Sequence, residues 1–599
     1  MSRKYHLAIV GSGPSAIYLL KHLLEQSEFL NENIASISVY EKGNLMGMGM
    51  PYSPEMVDKA NMANIPSEEM PPLLVSFADW LRSLDLTNLE ELGIEREEIS
   101  EQKIYSRIAL GKYLQAQYQA LIEKLANEGV KIHEFPGCRV LDILCDKAGK
   151  AFLVTGNGRH SFDKVFIATG HHWPKDDRPD NGYYASPWPI LKLLPKDGEY
   201  FNYPIGTLGA SLSAFDVVAS LAMRHGEFIA SSSGLEYRPA PGTEDFKIVM
   251  HAGHGKLPHL RYGIEKLQRK IYQHVTREHL LSLVNVKGFL RIDFYFDVVC
   301  RPALRHAFMR DGLSEIAELL KDKNFTFAKF VGKMNEEHQY YDAFAGMRAE
   351  MVEARDSVLG NNPIHWKEVI DDLIYTLNFH AELMPAEDHI FLNSTVMPFL
   401  MNVIAALPLG SGDQLLALHD AGKLELIPGM ARVRDEPTEK GLITVCVQQR
   451  DGDEEMHYRM FVDCSGQKPV AIEHYPFASL VTTGVVRKAQ AKFANERNVD
   501  SLPDKNAERV ATGNGRKVYN TGGIDIDGTY RVIGTNGRVS SMIYDISFTH
   551  TTGVRPYSYG LQSCSDTGAI VAQSLKLAFE ESLQSEISEN EVTQIYEKV

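Results

Sequence analysis

Gly11-Ser12-Gly13-Pro14-Ser15-Ala16 is the spacing in this chain that most plainly serves chemistry. It follows the apolar run Tyr5–Val10 and precedes Ile17, Leu20, Leu23 and Leu24 at helical intervals. Strand, glycine turn and helix in that order cradle a pyrophosphate. Gly11 permits the tight turn, Gly13 lets the backbone approach the phosphates, and Ala16 still allows close helix–strand contact. The helix N-terminus then offers free N–H groups and its positive dipole end to the anion. Glu41, closing the strand Ile37–Tyr40 and followed by Lys42, stands where a carboxylate accepts hydrogen bonds from ribose hydroxyls.

A second unit of this kind begins at Tyr203–Leu208 and turns through Gly209-Ala210-Ser211-Leu212-Ser213-Ala214. Ser211 stands at the place of the second glycine, so its Cβ opposes close approach to a phosphate. The following strand, Lys247–Met250, leads into a loop with His251, His254, Lys256 and His259. The three histidines have no carboxylate or cysteine nearby in the sequence, and no metal site is expected.

These loops must be held by a larger frame. With 599 residues, the chain is long enough for about three or four domains. It carries 62 Lys and Arg against 78 Asp and Glu, a net charge of −16, which argues against nucleic-acid binding. The cysteines, Cys138, Cys145, Cys300, Cys446, Cys464 and Cys564, form no C-x-x-C pair. That excludes a flavin-linked dithiol and fits a reducing compartment. The longest apolar stretch, Val396–Leu407, is interrupted by Pro398 and Asn402 and is too short for a membrane span. With no secretory signal in view, a cytoplasmic protein acting on a small molecule is expected.

Further motifs follow the first loop: Gly47-Met48-Gly49-Met50-Pro51-Tyr52, Asn64-Ile65-Pro66 through Met70, Phe77 through Leu81, Arg107 with Gly111, Tyr113 and Leu114, and Ala168-Thr169-Gly170-His171. In this order they resemble the bacterial FAD–NAD(P)-binding flavoproteins, relatives of the class B flavin monooxygenases and amino-acid N-hydroxylases. The resemblance extends to Ser186-Pro187-Trp188 and to the segment from Phe461 to Leu575. It implies that Gly11, Gly13, Pro14, Ser15 and Ala16 hold the FAD pyrophosphate, with Glu41 and Lys42 at the adenosine end. Gly47, Tyr52, Asn64, Arg107, Thr169, Gly170, Gly466 and Tyr544 would lie along the cofactor. Gly560, Leu561 and Gln562 would open a helix toward the flavin ring. The two glycines by Tyr52 suggest backbone packed on a flat ring. His171 and His172 follow the Ala-Thr-Gly; an imidazole beside a flavin would relay protons, whereas one packed on Trp173 would only fill a loop.

Many relatives carry Ser-Arg where this chain has Ala252-Gly253, so NADPH or NADH enters as an open second cofactor. Lys256, His254 or Arg261 would have to replace that arginine. Another departure is Ser547-Phe548, at a place where Gly-Asp is usual.

The expected fold is α/β, with two Rossmann-type dinucleotide-binding units and a helical insertion. An FAD domain at 1–200 and 461–599 is split by an NAD(P)-type unit at 201–290, with return strands at 411–460. A helical cap at 291–410 includes helices near Leu313–Leu320 and Met347–Val358 and many aromatic residues, read as core or as a pocket wall. The polar stretch at about 485–520 is expected to be a surface excursion, and the acidic tail past Phe579 to be solvated. The function expected is an FAD-dependent monooxygenase N-hydroxylating a small amine or amino acid, with NAD(P)H as reductant. The alternatives are an oxidase or dehydrogenase reduced by its own substrate, and a non-catalytic FAD-binding subunit. No catalytic residue is assigned.

Overall fold

The run Tyr5–Val10 forms strand β1, in which Leu7, Ala8 and Ile9 are completely buried. A parallel strand covered on both faces needs such a continuous apolar run. The computed structural model describes residues 4–599 apart from 172, 174, 233, 405–406, 435–440, 450–451, 514 and 581–587. From β1 the first unit continues through α1 (Pro14–Leu24), β2 (Ile34–Tyr40), α2 (Arg107–Asn127), β3 (Lys131–Phe135) and β4 (Lys164–Ile167). The second comprises β5 (Pro204–Leu208), α3 (Leu212–His225), β6 (Lys247–Ala252), β7 (Leu424–Pro428) and β8 (Phe461–Asp463). Late in the chain come β9 (Val539–Asp545) and α4 (Leu561–Glu580).

The first sheet runs Arg531–Ile533, β9, β4, β1, β2, β3. β9 lies parallel to β4, so the C-terminal segment completes a sheet begun by the first residues, as a split domain requires. The second sheet runs β7, β6, β5, β8 and Tyr183–Tyr184, parallel throughout. Both units carry a three-stranded antiparallel sheet before their last strand, at 140–162 in the first and 430–458 in the second. The connection from β2 to β3 runs through the short helices Phe77–Ser83 and Leu86–Leu92 to the long helix α2. The matching crossover from β6 to β7 contains the whole helical insertion, Arg277 to Ile404, and the helix Leu409–Asp420.

Most of the insertion shares a core with the first unit through residues such as Phe308, Phe330 and Ile374. Its helix Ala343–Leu359 packs on the second unit through Phe344, Met347 and Met351. The aromatic residues divide accordingly: Tyr295, Phe296 and Phe344 are buried, while Phe294 and Tyr341 are exposed. Helix α4 crosses α1 closely; a Cβ on Gly568 would fall 2.9 Å from the Leu19 nitrogen.

Three expectations change. Tyr183–Tyr184 and β8 both belong to the second sheet, so that unit reaches across the breaks placed at 200 and 460. The stretch at 485–520 is no simple excursion; Lys488–Lys492, Val510–Gly513 and Arg516–Ile524 form an antiparallel sheet. The last helix, Glu589–Glu597, is docked rather than solvated, with Val592, Ile595 and Tyr596 buried. The buried Arg555 donates to Glu382 and, at 2.9 Å, to the Tyr596 hydroxyl, joining insertion, first unit and C-terminus.

Candidate functional site: two glycine loops and the cavity between them

Gly11 adopts φ of 104°, and its N–H donates to the Tyr40 carbonyl at 2.8 Å. A Cβ there would lie 2.4 Å from the Ala168 oxygen. Gly13 caps α1 with no side-chain hydrogen bond, and Pro14 opens the helix, so the first-turn amides face outward from the loop. The Gly47–Tyr52 segment closes on this turn: a Cβ on Gly13 would stand 3.1 Å from Gly49 Cα. The flat ring behind Gly47 is Tyr118, not Tyr52; the Tyr52 carbonyl instead presses on Gly111.

Glu41 lies at the mouth of the loop. One carboxylate oxygen accepts from the Ser12 N–H at 3.1 Å and hydroxyl at 2.9 Å, and the other from the Gly43 N–H at 3.0 Å. The Ser12 hydroxyl in turn accepts from the Gly47 N–H at 3.0 Å. Helix α4 arrives beside α1, with Cys564 Sγ 3.5 Å from Ser15 Oγ. Leu561 is buried, Gly560 is exposed, and Gln562 donates to Asp566 at 3.0 Å. Thr169 meets Ser547, hydroxyl to hydroxyl, at 3.2 Å.

An FAD fits these residues. The cradle at Gly13 is one that a Cβ would fill, the α1 N-terminus is uncapped, and the buried hydroxyls of Ser563 and Thr549 lack protein partners. Other expected positions are placed differently. Tyr544 is in the core against Phe166, with ring centroids 4.9 Å apart. Lys42 and Asn64 are exposed. Arg107 is turned toward the second unit, where its guanidinium lies 2.7 Å from Asp216.

The second loop repeats the first bond for bond. Gly209 N–H donates to the His251 carbonyl at 2.8 Å, and Cys464 N–H to Leu208 at 2.9 Å, as Ala168 N–H does to Val10 at 2.9 Å. Gly209 has φ of 105°. What differs is the side chains: Ala210 and Ala252 occupy the places of Ser12 and Glu41. Ser211 caps α3 without a side-chain hydrogen bond. Of the loop histidines, His251 bonds the Tyr458 hydroxyl and His259 bonds Glu350, each at 2.9 Å, while His254 is exposed.

By the same correspondence Ala168-Thr169-Gly170-His171 matches Cys464-Ser465-Gly466-Gln467, and the two last side chains meet. His171 Nδ1 donates to Gln467 Oε1 at 2.7 Å, which leaves the ring lone pair on Nε2. His171 also stacks on Trp173, at 5.5 Å and 17°, which is the packing one of its two sequence expectations described; His172 lies outside the described residues. Burial, with Arg107 nearby, pushes the His171 imidazole below its ordinary value and toward the neutral form. A cavity of about 100 Å³ opens here, lined by His171, Trp173, Trp188, Arg107, Asp463 and Gln467 among others. Behind it, burial pushes the Asp216 carboxyl up to about 6, with Arg107 opposing the shift. Ser12, Asp216 and Gln467 escaped sequence reasoning. Gln467 alone had a legible signal, following Cys-Ser-Gly as His171 follows Ala-Thr-Gly.

Residues 8–172 match the family described as FAD-NAD(P)-binding, and residues 278–404 match the YdhS-like middle domain. The Escherichia coli (strain K12) protein titled "Uncharacterized protein YdhS" is 26% identical over 477 residues, spanning 79% of this chain and 85% of its own length. Among solved structures, ornithine N-hydroxylase from Kutzneria sp. 744 aligns over 96% of this chain and 100% of its own, at 12% identity and a TM-score of 0.43. L-lysine 6-monooxygenase from Pseudomonas syringae covers 96% and 99% at 13% identity and a TM-score of 0.42. Bacillithiol disulfide reductase from Staphylococcus aureus covers 96% and 98% at 10% identity and a TM-score of 0.41.

Proposed function

We propose that this chain, whose residues 8–172 are an FAD-NAD(P)-binding domain, is an FAD-dependent oxidoreductase that works where its two dinucleotide units meet. In its most concrete form it is a monooxygenase that N-hydroxylates a small amine or amino acid and draws electrons from NAD(P)H. The observation that carries this reading is the convergence of the two C-terminal strand edges, through His171 and Gln467, on one cavity. Ligands of open α/β sheets bind at such edges.

When bound, FAD would supply the two-electron redox chemistry. Gly11, Gly13 and the first turn of α1 would hold its pyrophosphate, and Glu41 its ribose. The Trp173 and Trp188 indoles restrict water in the cavity. His171, neutral and with its tautomer set by Gln467, would hold a proton at Nε2 when a substrate nitrogen releases one. A second reading, an oxidase reduced directly by its substrate, is favoured by Ser211 and Ala252 in the second loop. Purified protein should show a flavin absorption band that bleaches anaerobically on adding NADPH or NADH. Bleaching by an amine alone would favour the oxidase, and a protein that takes up no FAD would refute both.

A further inference from the structure

Arg107 is the one arginine or lysine among the described residues lining the inter-unit cavity, and its charge is already matched. Its Nη2 lies 2.7 Å from Asp216, its Nε donates to the Met62 carbonyl at 3.1 Å, and its guanidinium carbon sits 5.7 Å from the Trp188 ring centre. Asp216 is buried and Arg107 half-buried, so an incoming anion that drew Arg107 away would leave a buried carboxylate unpaired, which is costly. His171 is pushed toward neutrality and offers no fixed positive charge.

The remaining lining has the opposite character. Asp463 presents a carboxylate with one oxygen accepting from the Ser465 N–H at 3.0 Å and hydroxyl at 2.6 Å, and Trp173 and Trp188 contribute indoles. An ammonium group finds an opposite charge and π faces there. A carboxylate finds a like charge and no uncommitted cation, so its desolvation goes uncompensated.

Resting on the reading of this cavity as the substrate site, we infer that it selects a small aliphatic amine without a carboxylate, and discriminates against amino acids. The volume of about 100 Å³ is below the roughly 150 Å³ that admits benzene. It therefore receives the amine end of a chain rather than a ring.

Cadaverine and lysine differ only by the carboxylate and make the test direct. Calorimetric titration of the full-length protein, with and without FAD, should give cadaverine an affinity at least about tenfold above that of lysine. Asp463→Asn, a partly exposed position, should lower cadaverine affinity about tenfold while FAD content is kept. Lysine binding as tightly as cadaverine, or neither binding to the FAD-loaded protein, overturns the inference and leaves the flavoprotein reading standing. A protein that refuses FAD overturns the reading itself. As a converse, Asp216→Asn frees Arg107 and should raise lysine affinity relative to cadaverine; an unchanged ratio in a folded variant counts against the inference.

Discussion

His171 Nδ1 and Gln467 Oε1 lie 2.7 Å apart, although one residue is in the loop after β4 of the first sheet and the other in the loop after β8 of the second. Each follows the glycine that closes its unit, so the bond joins two equivalent points of a repeated design. An amide oxygen can only accept, and the imidazole proton is therefore fixed on Nδ1. Gln467→Leu should release that constraint. Nitrogen NMR of the imidazole should change from a single Nδ1–H tautomer to a mixture, and turnover should fall roughly tenfold, less than for loss of a general base, with FAD content unchanged. Because burial pushes the His171 pKa down, activity that needs its neutral form should persist as pH falls through the ordinary histidine value of about 6.5 and be lost only below it. A wild-type acid limb at or above that value would remove His171 from the proton path.

The Gly13 cradle makes a prediction that separates binding from folding. A Cβ at Gly13 would lie 3.1 Å from Gly49 Cα, backbone against backbone, with an N-cap φ of −73° that any residue adopts. Gly13→Ala should therefore fold, because the loop has to yield by only a few tenths of an ångström, yet lose about tenfold in FAD affinity as the phosphate approach closes. Gly11→Ala carries both a positive φ and a 2.4 Å clash with Ala168, and should lower the melting temperature as well. Fluorimetric FAD titration and thermal melts of the two variants test the distinction; equal FAD affinity in Gly13→Ala and wild type would move the pyrophosphate elsewhere.

The first loop was legible because each of its requirements is local: an apolar strand, glycines at fixed spacing, a helix and an acid. The second was legible for the same reason, including its departures. Arg107 shows where local reading stops. Its motif is local, but its partner Asp216 is on another domain, and only the fold brings them together. The strand Lys488–Lys492 was hidden differently. Its inward positions are the alanines Ala489 and Ala491, and so small an apolar face gives a weak period-two signal. The C-terminal helix has Val592, Ile595 and Tyr596 at helical spacing, set among acids whose charge suggested solvent.

Asp566, on α4, accepts from the Tyr375 hydroxyl of the insertion and from Gln562. Burial pushes its carboxyl up to about 7, above the ordinary carboxylate value of about 3.9. The folded state therefore binds this proton more tightly than the unfolded chain does. Its stabilising contribution is full only below the unfolded value of about 3.9 and is lost progressively as pH rises from there to about 7. Asp566→Asn should accordingly gain on wild type by on the order of 2–3 kcal/mol between pH 5 and pH 8, and match it only below the unfolded value of about 3.9. Denaturant midpoints at the two pH values check the sign. A variant destabilised equally at both would mean that the hydrogen bonds, not the proton, dominate this residue.

Ser211 decides how far the second unit serves a nicotinamide nucleotide. Its backbone turn matches that of the first loop, so the chain already supplies the amide array, and the Cβ is the feature that opposes a pyrophosphate. Ser211 is extended, with φ of −137°, so glycine needs no rearrangement there. Glycine at an N-cap costs only a few tenths of a kcal/mol relative to serine, less here because the Ser211 side chain makes no capping bond. Ser211→Gly should therefore leave the melting temperature nearly unchanged and increase the rate of anaerobic flavin reduction at low NAD(P)H by about tenfold. The added Gly253→Arg change should then shift preference toward NADPH, because a guanidinium just past the end of β6 can hold a 2′-phosphate bidentately, and a Cβ on Gly253 meets nothing within 4 Å. If Ser211→Gly is reduced no faster than wild type by either nucleotide while an amine reduces both, the second unit is structural and the substrate-reduced oxidase is the better account.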